Sequence, residues 1–168
     1  TDAETAVLAA SPLTAARSAG IPTGNVRSVA EYEPMEGILI AYEGPSSWRA
    51  VLRDMGRHIT TPGDANLYVM CDSTNEAATA QAEFVAAGAA PSRVITKVRR
   101  TDTIWMRDYG PRYIYENGVR PIVDHTYNRP RPHDNLLPSF WGADRGEEVY
   151  TIPPVPGGGH SHPHAPGG

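Results

Sequence analysis

Two short segments of the chain carry residue types that suit the binding of a flat cation. Residues 103–111 place Trp105 and Asp108 just before a Gly-Pro turn. A carboxylate in such a loop can hold a guanidinium group through paired hydrogen bonds while an aromatic ring stacks on its face. Further along the chain, Arg129 and Arg131 flank a single proline and suit carboxylate or carbonyl groups. Together the two segments predict a site that holds an arginine by both of its ends.

Each of these residues also has a plainer interpretation. Asp108 could pair with the neighbouring Arg107 or Arg112, or cap a turn, instead of binding a ligand. Trp105 and Tyr109 could be core residues that anchor the loop, and the Gly-Pro pair could serve only as a rigid turn. The two later arginines could lie in a solvated basic loop. We expect them to point the same way, because flanking prolines favour an extended backbone in which residues two apart share a face.

Other reactive side chains are weaker candidates for chemistry. Cys71 ends an apolar run near a helix start, where a thiolate is stabilised, but it also fits a small buried apolar side chain. Asp124 and His125 look like an acid–base couple, yet adjacent strand residues face opposite sides and are not expected to act together. Three histidines alternate in a Gly/Pro-rich tail that lacks a rigid scaffold and would bind Cu, Ni or Zn only weakly, namely His160, His162 and His164. No metal site is therefore expected.

Composition indicates an ordinary globular domain and argues against several classes of partner. The chain of 168 residues has 40% hydrophobic and 20% charged residues, a net charge of −4 and a pI of about 5.8. This balance gives no electrostatic reason to expect nucleic acid or an anionic membrane as a partner, and it tolerates a cationic substrate. No apolar run approaches the roughly 20 residues that span a bilayer. A single cysteine excludes an intrachain disulfide and leaves the compartment open.

Three short apolar runs in the first half predict buried strands at residues 36–42, 66–71 and 93–98. Helical patterns separate them, so the order is β-α-β-α-β, which favours a parallel sheet with right-handed crossovers. The loop after the third strand, residues 99–111, then leaves the carboxyl end of the sheet, where open α/β sheets place ligands. The fold class is therefore α/β, and Asp108 lies where topology alone predicts a site.

Two helices are predicted between these strands. Ser47 is expected to cap the first, and Ser73 with Glu76 forms a capping box for the second, which Gly88 ends. The apolar residues of the first helix fall in a single stripe that should face the core, namely Trp48, Val51, Leu52, Met55 and Ile59.

The second half of the chain is predicted to be richer in loops. A hairpin at residues 112–115 and 119–127 surrounds Asn117-Gly118, the strongest short turn signal. A Pro-rich loop follows Asn128, and residues 148–152 form one more strand. The predicted domain limits are a loosely structured leader at 1–28, a folded portion at 29–152 and a disordered Gly/Pro/His-rich tail at 153–168.

Three passages carry a family resemblance: AEYEPMEG at residues 30–37, DTIWMRDYGP at 102–111 and DHTYNRPRP at 124–132. They resemble the guanidine-modifying enzyme superfamily, and most closely its Porphyromonas-type peptidylarginine deiminase branch, which is related to the agmatine deiminases. The resemblance covers residues 26–152. It implies an α/β propeller (pentein) fold, of which this chain would hold a truncated N-terminal portion of about two repeats.

The resemblance also implies a reaction, the hydrolysis of arginine to citrulline and ammonia without a cofactor. A cysteine thiolate attacks the guanidinium carbon, a histidine moves protons, and acidic residues hold the guanidinium nitrogens. Carried over by residue, Asp108 binds the guanidinium, Trp105 lines its slot, and Arg129 and Arg131 bind the substrate main chain. Agmatine deiminases tend to have a Trp-Gly-containing stretch where this chain has Arg-Pro-Arg-Pro. An arginine-containing peptide or protein is therefore the favoured substrate and agmatine the alternative.

The chain departs from the family pattern in its last residues. The family's nucleophilic cysteine and His-x-Asp motif lie in later repeats, and neither Cys71 nor the His-Ser-His at residues 160–162 matches them. This portion alone is therefore expected to release no citrulline, and a non-catalytic arginine-binding remnant is the other interpretation. Two repeats taken from a closed ring would expose a sheet edge, so self-association through that edge is also expected.

Overall fold

The computed structural model describes residues 17–18, 21–30 and 32–152. None of the described helices has the length and apolar character needed to cross a bilayer. The strands are β1 (Arg17–Ser18), β2 (Val26–Ser28), β3 (Gly37–Ala41), β4 (Asn66–Cys71), β5 (Val94–Val98), β6 (Arg112–Glu116), β7 (Ile122–Asp124) and β8 (Val149–Thr151). The helices are α1 (Ser46–Thr60), α2 (Thr74–Ala86), α3 (Met106–Tyr109), α4 (Pro132–Asn135) and α5 (Leu137–Arg145).

The strands form two sheets. Strands β3, β4 and β5 make a parallel sheet in that order, with α1 and α2 as the crossovers, as predicted. The second sheet has the order β1-β8-β7-β6-β2, in which β6 and β7 are an antiparallel hairpin and β8 runs parallel to β7. The predicted α/β class is therefore confirmed, and helix α3 with Asp108 follows the carboxyl end of β5.

Strand β4 divides the core because its side chains alternate between two faces. Leu67, Val69 and Cys71 pack in the cluster under α1 and α2. Tyr68 and Met70 pack on the opposite face with side chains from β7, β8 and α5. A sheet that is covered on both faces needs strands that are apolar throughout, which is why residues 66–71 could be recognised as a strand from sequence.

Helix α1 buries a different face from the predicted one. Its buried residues are Leu52, Gly56 and Thr60, whereas three residues of the predicted stripe are exposed. A Cβ at Gly56 would lie 2.6 Å from Cδ1 of Phe84 and 2.9 Å from Cδ2 of Leu67. The absence of a side chain thus lets α1 approach α2 and β4 closely with the glycine inward. This rotation leaves apolar side chains on the solvent side, namely Trp48, Val51 and Met55.

The two long helices begin in different ways. Pro45 occupies the N-cap of α1 and no side chain caps that helix, so the predicted Ser47 cap is wrong. Helix α2 has the predicted cap, since Ser73 Oγ accepts a hydrogen bond from the Glu76 amide at 3.2 Å. The Glu76 carboxylate reaches back to the amide of Asp72, at 2.7 Å, which is one residue beyond the expected capping-box partner.

The second half holds more helix than the sequence predicted. Helices α4 and α5 occupy part of the predicted Pro-rich loop. Pro132 begins α4, where the missing N–H costs nothing because first-turn amides have no partner within a helix. The predicted Asn117-Gly118 turn is confirmed, and its residues have φ values of 50° and 84°, as the favoured two-residue hairpin turn requires. Strand β8 confirms the strand predicted at 148–152.

The structure describes part of the predicted leader but none of the predicted tail. Within the predicted loose leader, β1 pairs with β8 and β2 pairs with β6. Residues 17–18 and 26–28 of that segment therefore belong to a sheet, because their backbone supplies hydrogen bonds that β6 and β8 would otherwise lack. The predicted disordered tail at 153–168, with its three histidines, lies outside the described residues.

Candidate functional site

The loop that follows β5 is held in place by the carboxylates of Asp102 and Asp134, each of which accepts hydrogen bonds from the segment that holds the other. The Asp134 carboxylate accepts hydrogen bonds from the amide of Asp102 at 2.6 Å, the amide of Thr103 at 3.3 Å and Thr103 Oγ1 at 2.7 Å. The Asp102 carboxylate in turn accepts from the His133 amide at 2.9 Å and lies 2.8 Å from His133 Nδ1. These reciprocal bonds fasten the loop that leads to Asp108 onto the start of α4.

Asp134 is the most deeply buried acidic residue of this arrangement, with no exposed side-chain surface. Burial raises its pKa above the ordinary aspartate value, while the bonds from residues 102 and 103 oppose that rise. These bonds between residues 102–103 and residues 133–134, called the Asp134 clamp, join positions that are 31 or 32 residues apart in the sequence. Sequence reasoning missed it, although Asp102 opens the DTIWMRDYGP passage, because no local pattern pairs positions so far apart.

Asp108 and Arg131 come together around the hydroxyl of Tyr127. The Tyr127 hydroxyl donates to Asp108 Oδ2 at 3.5 Å and accepts from Arg131 Nη1 at 3.1 Å. The Arg131 guanidinium also lies over the Tyr127 ring, 5.9 Å from its centroid, and donates to Thr103 Oγ1 at 3.4 Å. The Asp108 side chain remains exposed. Asp108 and Arg131, the anion and the cation predicted for the site, thus both hydrogen-bond to the Tyr127 hydroxyl. Sequence reasoning did not single out Tyr127.

The backbone of residues 129–131 forms a turn, so the extended conformation predicted for this segment is wrong. The amide of Arg131 donates to the carbonyl of Arg129 at 2.8 Å, which closes a tight three-residue turn across Pro130. Arg131 is half-buried against Tyr127, whereas Arg129 is exposed. Only one of the predicted pair therefore contacts the other residues of the candidate site among those that the structure describes.

Trp105 is a surface residue of the site, not a core anchor. Its side chain is 51% exposed and meets the ring of Trp48 edge-on, with centroids 5.9 Å apart at 62°. Tyr109, in contrast, is buried and donates its hydroxyl to the carbonyl of Thr103, so the core interpretation holds for that ring. Gly110 ends α3 where a Cβ would lie 2.5 Å from the Met106 carbonyl oxygen, so the turn needs glycine for space.

Among the residues that the structure describes, the other reactive side chains considered from the sequence do not form a catalytic group with Asp108. Cys71 is buried, and burial raises the pKa of its thiol to about 12, which fits the small apolar side chain and not a nucleophile. Asp124 is buried and accepts from Ser139 Oγ at 2.7 Å, whereas His125 Nε2 lies 2.8 Å from the Asp108 carbonyl. As predicted, the two neighbours face different surroundings.

Further carboxylates line the carboxyl end of the parallel sheet. Glu43 follows β3 and accepts from Thr101 Oγ1 at 3.0 Å, and Asp72 follows β4 and accepts from the Thr101 amide at 3.1 Å. Burial raises the pKa of Glu43, and the negative charges of Asp72, Glu76 and Asp134 add to that rise. This edge of the sheet therefore has a negative field that favours cations. Across the described ranges, no group of His, Cys, Asp and Glu has the arrangement of a metal site.

Comparison with known proteins gives a likeness of fold. No protein-family model matches the chain. An agmatine deiminase of C. jejuni is 18% identical with a TM-score of 0.60, over 77% of this chain and 40% of that chain. A protein assigned as a peptidyl-arginine deiminase is 23% identical with a TM-score of 0.56, over 76% and 40%. A protein from Porphyromonas gingivalis assigned as an arginine deiminase is 15% identical with a TM-score of 0.59, over 76% and 40%.

The match covers 40% of the length of each of these solved chains. At such low identities it concerns the fold, while the number of propeller repeats in this chain remains a prediction. The described residues adopt a mixed α/β fold found in agmatine and peptidylarginine deiminases, which confirms, for the fold, the resemblance to guanidine-modifying enzymes that three sequence passages predicted.

Proposed function

We propose that this chain binds the guanidinium group of an arginine residue in a peptide or protein, as the binding portion of a protein-arginine deiminase. It would then represent about two repeats of an α/β propeller. The observation that carries the proposal is the array in which the Tyr127 hydroxyl contacts both Asp108 and Arg131. In this array the buried ring of Tyr127 connects an exposed carboxylate to a half-buried cation.

The electrostatics of the site favour a cationic head group at one end. Asp108 supplies an exposed carboxylate, and Glu43 and Asp72 surround the neighbouring loop with negative charge. A guanidinium group can make two parallel hydrogen bonds to a carboxylate, which a rounded ammonium group cannot do equally well. The half-exposed Trp105 offers a ring for the flat face of the same group.

The opposite end of the site favours a peptide main chain over a free amine. Arg131 donates to the Tyr127 hydroxyl beside Asp108, and the exposed Arg129 lies two residues before it in the chain. Both would attract carbonyl oxygens or a terminal carboxylate and repel the amine of agmatine. Protein-bound arginine is therefore the proposed substrate, although an agmatine deiminase shares the fold.

In the proposed reaction, water replaces one guanidinium nitrogen, giving citrulline and ammonia by way of a covalent adduct on a cysteine. Asp108 is the residue of this chain that would act on the reacting group, by holding the guanidinium nitrogens during attack on the carbon. The chain's one cysteine, Cys71, is buried and unsuited to attack. We therefore expect the chain by itself to bind arginine without releasing citrulline, which makes a non-catalytic arginine-binding protein the second candidate.

Binding of N-acetylarginine amide to the 168-residue chain tests this function by isothermal titration calorimetry. Asp108→Asn removes a charge-assisted bidentate contact of about 1.5–3 kcal/mol, so we expect affinity to fall at least about tenfold. Glu148→Gln neutralises another exposed carboxylate, just before β8, and should leave affinity unchanged. N-acetylcitrulline amide, a neutral isostere, should bind much more weakly than the arginine compound.

The same titrations distinguish the alternatives. Agmatine should bind more weakly than N-acetylarginine amide, and Arg131→Gln should reduce this preference. Equal binding of arginine and citrulline compounds, or an unchanged affinity in Asp108→Asn, would contradict the proposed site. Tighter binding of agmatine would contradict the choice of substrate. Release of citrulline by this chain alone would contradict the expectation that it has no accessible nucleophile.

A further inference from the structure

His125 contacts the backbone of Asp108, the residue that the proposed function places against the guanidinium group. Its Nε2 lies 2.8 Å from the carbonyl oxygen of Asp108. A carbonyl oxygen can only accept a hydrogen bond, so Nε2 must carry a proton and donate it. The neutral ring is therefore the tautomer that has its proton on Nε2 and a lone pair on Nδ1.

Helix α3 needs such a donor because it consists of a single turn. It has four residues, and the last carbonyls of a helix have no donor within that helix. The Asp108 amide donates to the Trp105 carbonyl at 2.9 Å, which fixes the backbone before the Asp108 Cα, while His125 fixes the carbonyl after it. The side-chain bond from the Tyr127 hydroxyl, at 3.5 Å, is longer than either backbone bond and constrains the carboxylate less.

The segment that carries His125 is itself anchored at both ends. The carbonyl of Asp124, the last residue of β7, accepts a hydrogen bond from the Ile152 amide at 3.0 Å. The amide of Tyr127 donates to Asn135 Oδ1 at 2.6 Å. His125 therefore projects from a fixed stretch of backbone, and its bond can hold helix α3 in one place.

The other ring nitrogen of His125 is not explained by packing. Among the described residues, Nδ1 is buried and has no hydrogen-bond partner. A buried acceptor without a partner costs free energy, so a histidine is a poor choice for packing alone. An apolar side chain would avoid this cost but could not donate to the Asp108 carbonyl. Asp108 is exposed, so water can replace the lost donor, and the fold itself gains little from the histidine.

We propose that His125 is a positioning residue, which holds the Asp108 carboxylate in the direction that a guanidinium group requires. This inference rests on the proposed function of Asp108. Two parallel hydrogen bonds need the carboxylate oxygens in the plane of the guanidinium group, so a small rotation of helix α3 weakens both bonds at once. A citrulline side chain lacks the charge and gains less from this alignment. His125 should therefore raise the affinity for arginine more than the affinity for citrulline.

Three substitutions of His125 test this role through calorimetric binding of N-acetylarginine amide at pH 8. His125→Leu has no donor, and His125→Asn places its amide group at the position of Nδ1, away from the Asp108 carbonyl. His125→Gln can bring its amide nitrogen to the position of Nε2. We expect the Leu and Asn variants to lose about fivefold in affinity and the Gln variant to stay within about twofold of the unchanged chain. Thr126→Val, at the neighbouring exposed position, should leave affinity unchanged.

A double-mutant cycle separates positioning from a general effect on the fold. In the Asp108→Asn background no carboxylate remains to be aligned, so His125→Leu should have no further effect on arginine binding. Thermal unfolding should change little in His125→Leu, and N-acetylcitrulline amide should bind as it does to the unchanged chain. Long-range proton–nitrogen NMR spectra of the imidazole should show the proton of the neutral ring on Nε2.

The outcomes distinguish the role of His125 from the function of Asp108. If Asp108→Asn weakens arginine binding while His125→Leu does not, the role of His125 is overturned and the guanidinium site stands. The role is also overturned if His125→Leu acts equally in both backgrounds, if His125→Gln loses as much as His125→Leu, or if the neutral ring carries its proton on Nδ1. If no arginine compound binds, or Asp108→Asn leaves affinity unchanged, the proposed function fails and the role of His125 fails with it.

Discussion

The clamp centred on Asp134 makes the sharpest prediction about how this site is held together. Asp134→Ala removes the acceptor for two amides, those of Asp102 and Thr103, and for the Thr103 hydroxyl. Asp134→Asn keeps the shape and one carboxamide oxygen, and the Thr103 hydroxyl can rotate to accept from the new amide group. The two substitutions therefore differ mainly in how many buried donors they leave without a partner.

The expected magnitudes follow from these three bonds. A buried donor left unsatisfied costs about 1–3 kcal/mol, and the bond from the Thr103 amide, at 3.3 Å, is the longest and should contribute least. Removal of a buried carboxylate also relieves its own desolvation, which offsets part of the loss. We expect Asp134→Ala to lower the free energy of unfolding by about 3–5 kcal/mol and Asp134→Asn by about 1–2 kcal/mol.

Urea unfolding followed by tryptophan fluorescence measures both values, because Trp105 follows the clamped loop and Trp141 lies in the core. Asp144→Ala is a suitable control, since its carboxylate is exposed and pairs with Lys97 on the surface. An exposed ion pair contributes about 0–1 kcal/mol. A loss for Asp134→Ala below about 1 kcal/mol, or no larger than that of the control, would contradict the structural role assigned to this carboxylate.

The pH dependence of the same variants has a defined sign. The folded pKa of Asp134 is raised above its ordinary value of 3.8, chiefly by burial. Its protonated form therefore contributes stability below pH 3.8 that is lost as the pH rises through the raised folded pKa. Asp134→Asn removes this titration, so wild-type stability relative to the variant should decline across that acidic range and then level off. An increase with pH over the same range would contradict the assigned cause.

Two further outcomes follow from the core. Gly56→Ala places a Cβ 2.6 Å from Phe84 and 2.9 Å from Leu67, so overpacking of about 1–3 kcal/mol should exceed the roughly 1 kcal/mol by which alanine favours a helix. Urea unfolding should show a net loss, and a more stable variant would contradict the packing of α1. Cys71, buried with a thiol pKa of about 12, should react with a chromogenic disulfide at pH 8 only after denaturant is added. Rapid reaction of the native chain would show that the thiol is accessible.

Elements that depend on neighbouring residues were predictable from sequence. Strand β4 has the bounds expected from its unbroken apolar run, because a strand covered on both faces needs apolar residues throughout. The Ser73 cap of α2 and the Asn117-Gly118 turn also matched, since each depends on side-chain or backbone preferences within four residues. From these elements the parallel sheet and the position of Asp108 beyond its carboxyl end followed.

Features that depend on distant residues were not predictable. The stripe on α1 indicated an amphipathic helix, but contacts of Gly56 with Phe84 and Leu67 decided which face is buried. The flanking prolines favoured an extended segment at 129–131, whereas the observed hydrogen bond closes a turn there. Helices α4 and α5 were missed because prolines at helix starts look like loop signals when read alone.

Local sequence patterns were sufficient to predict the fold class, the order of the three strands and two helices of the parallel sheet, and the residue types suited to a guanidinium group. Those properties follow from hydrophobic periodicity and side-chain chemistry, which are local. Tertiary packing brings Asp108 to Tyr127, fastens the loop to Asp134, and leaves apolar side chains of α1 exposed beside Trp105. These are contacts between segments distant in sequence, and close packing, not local preference, selects them.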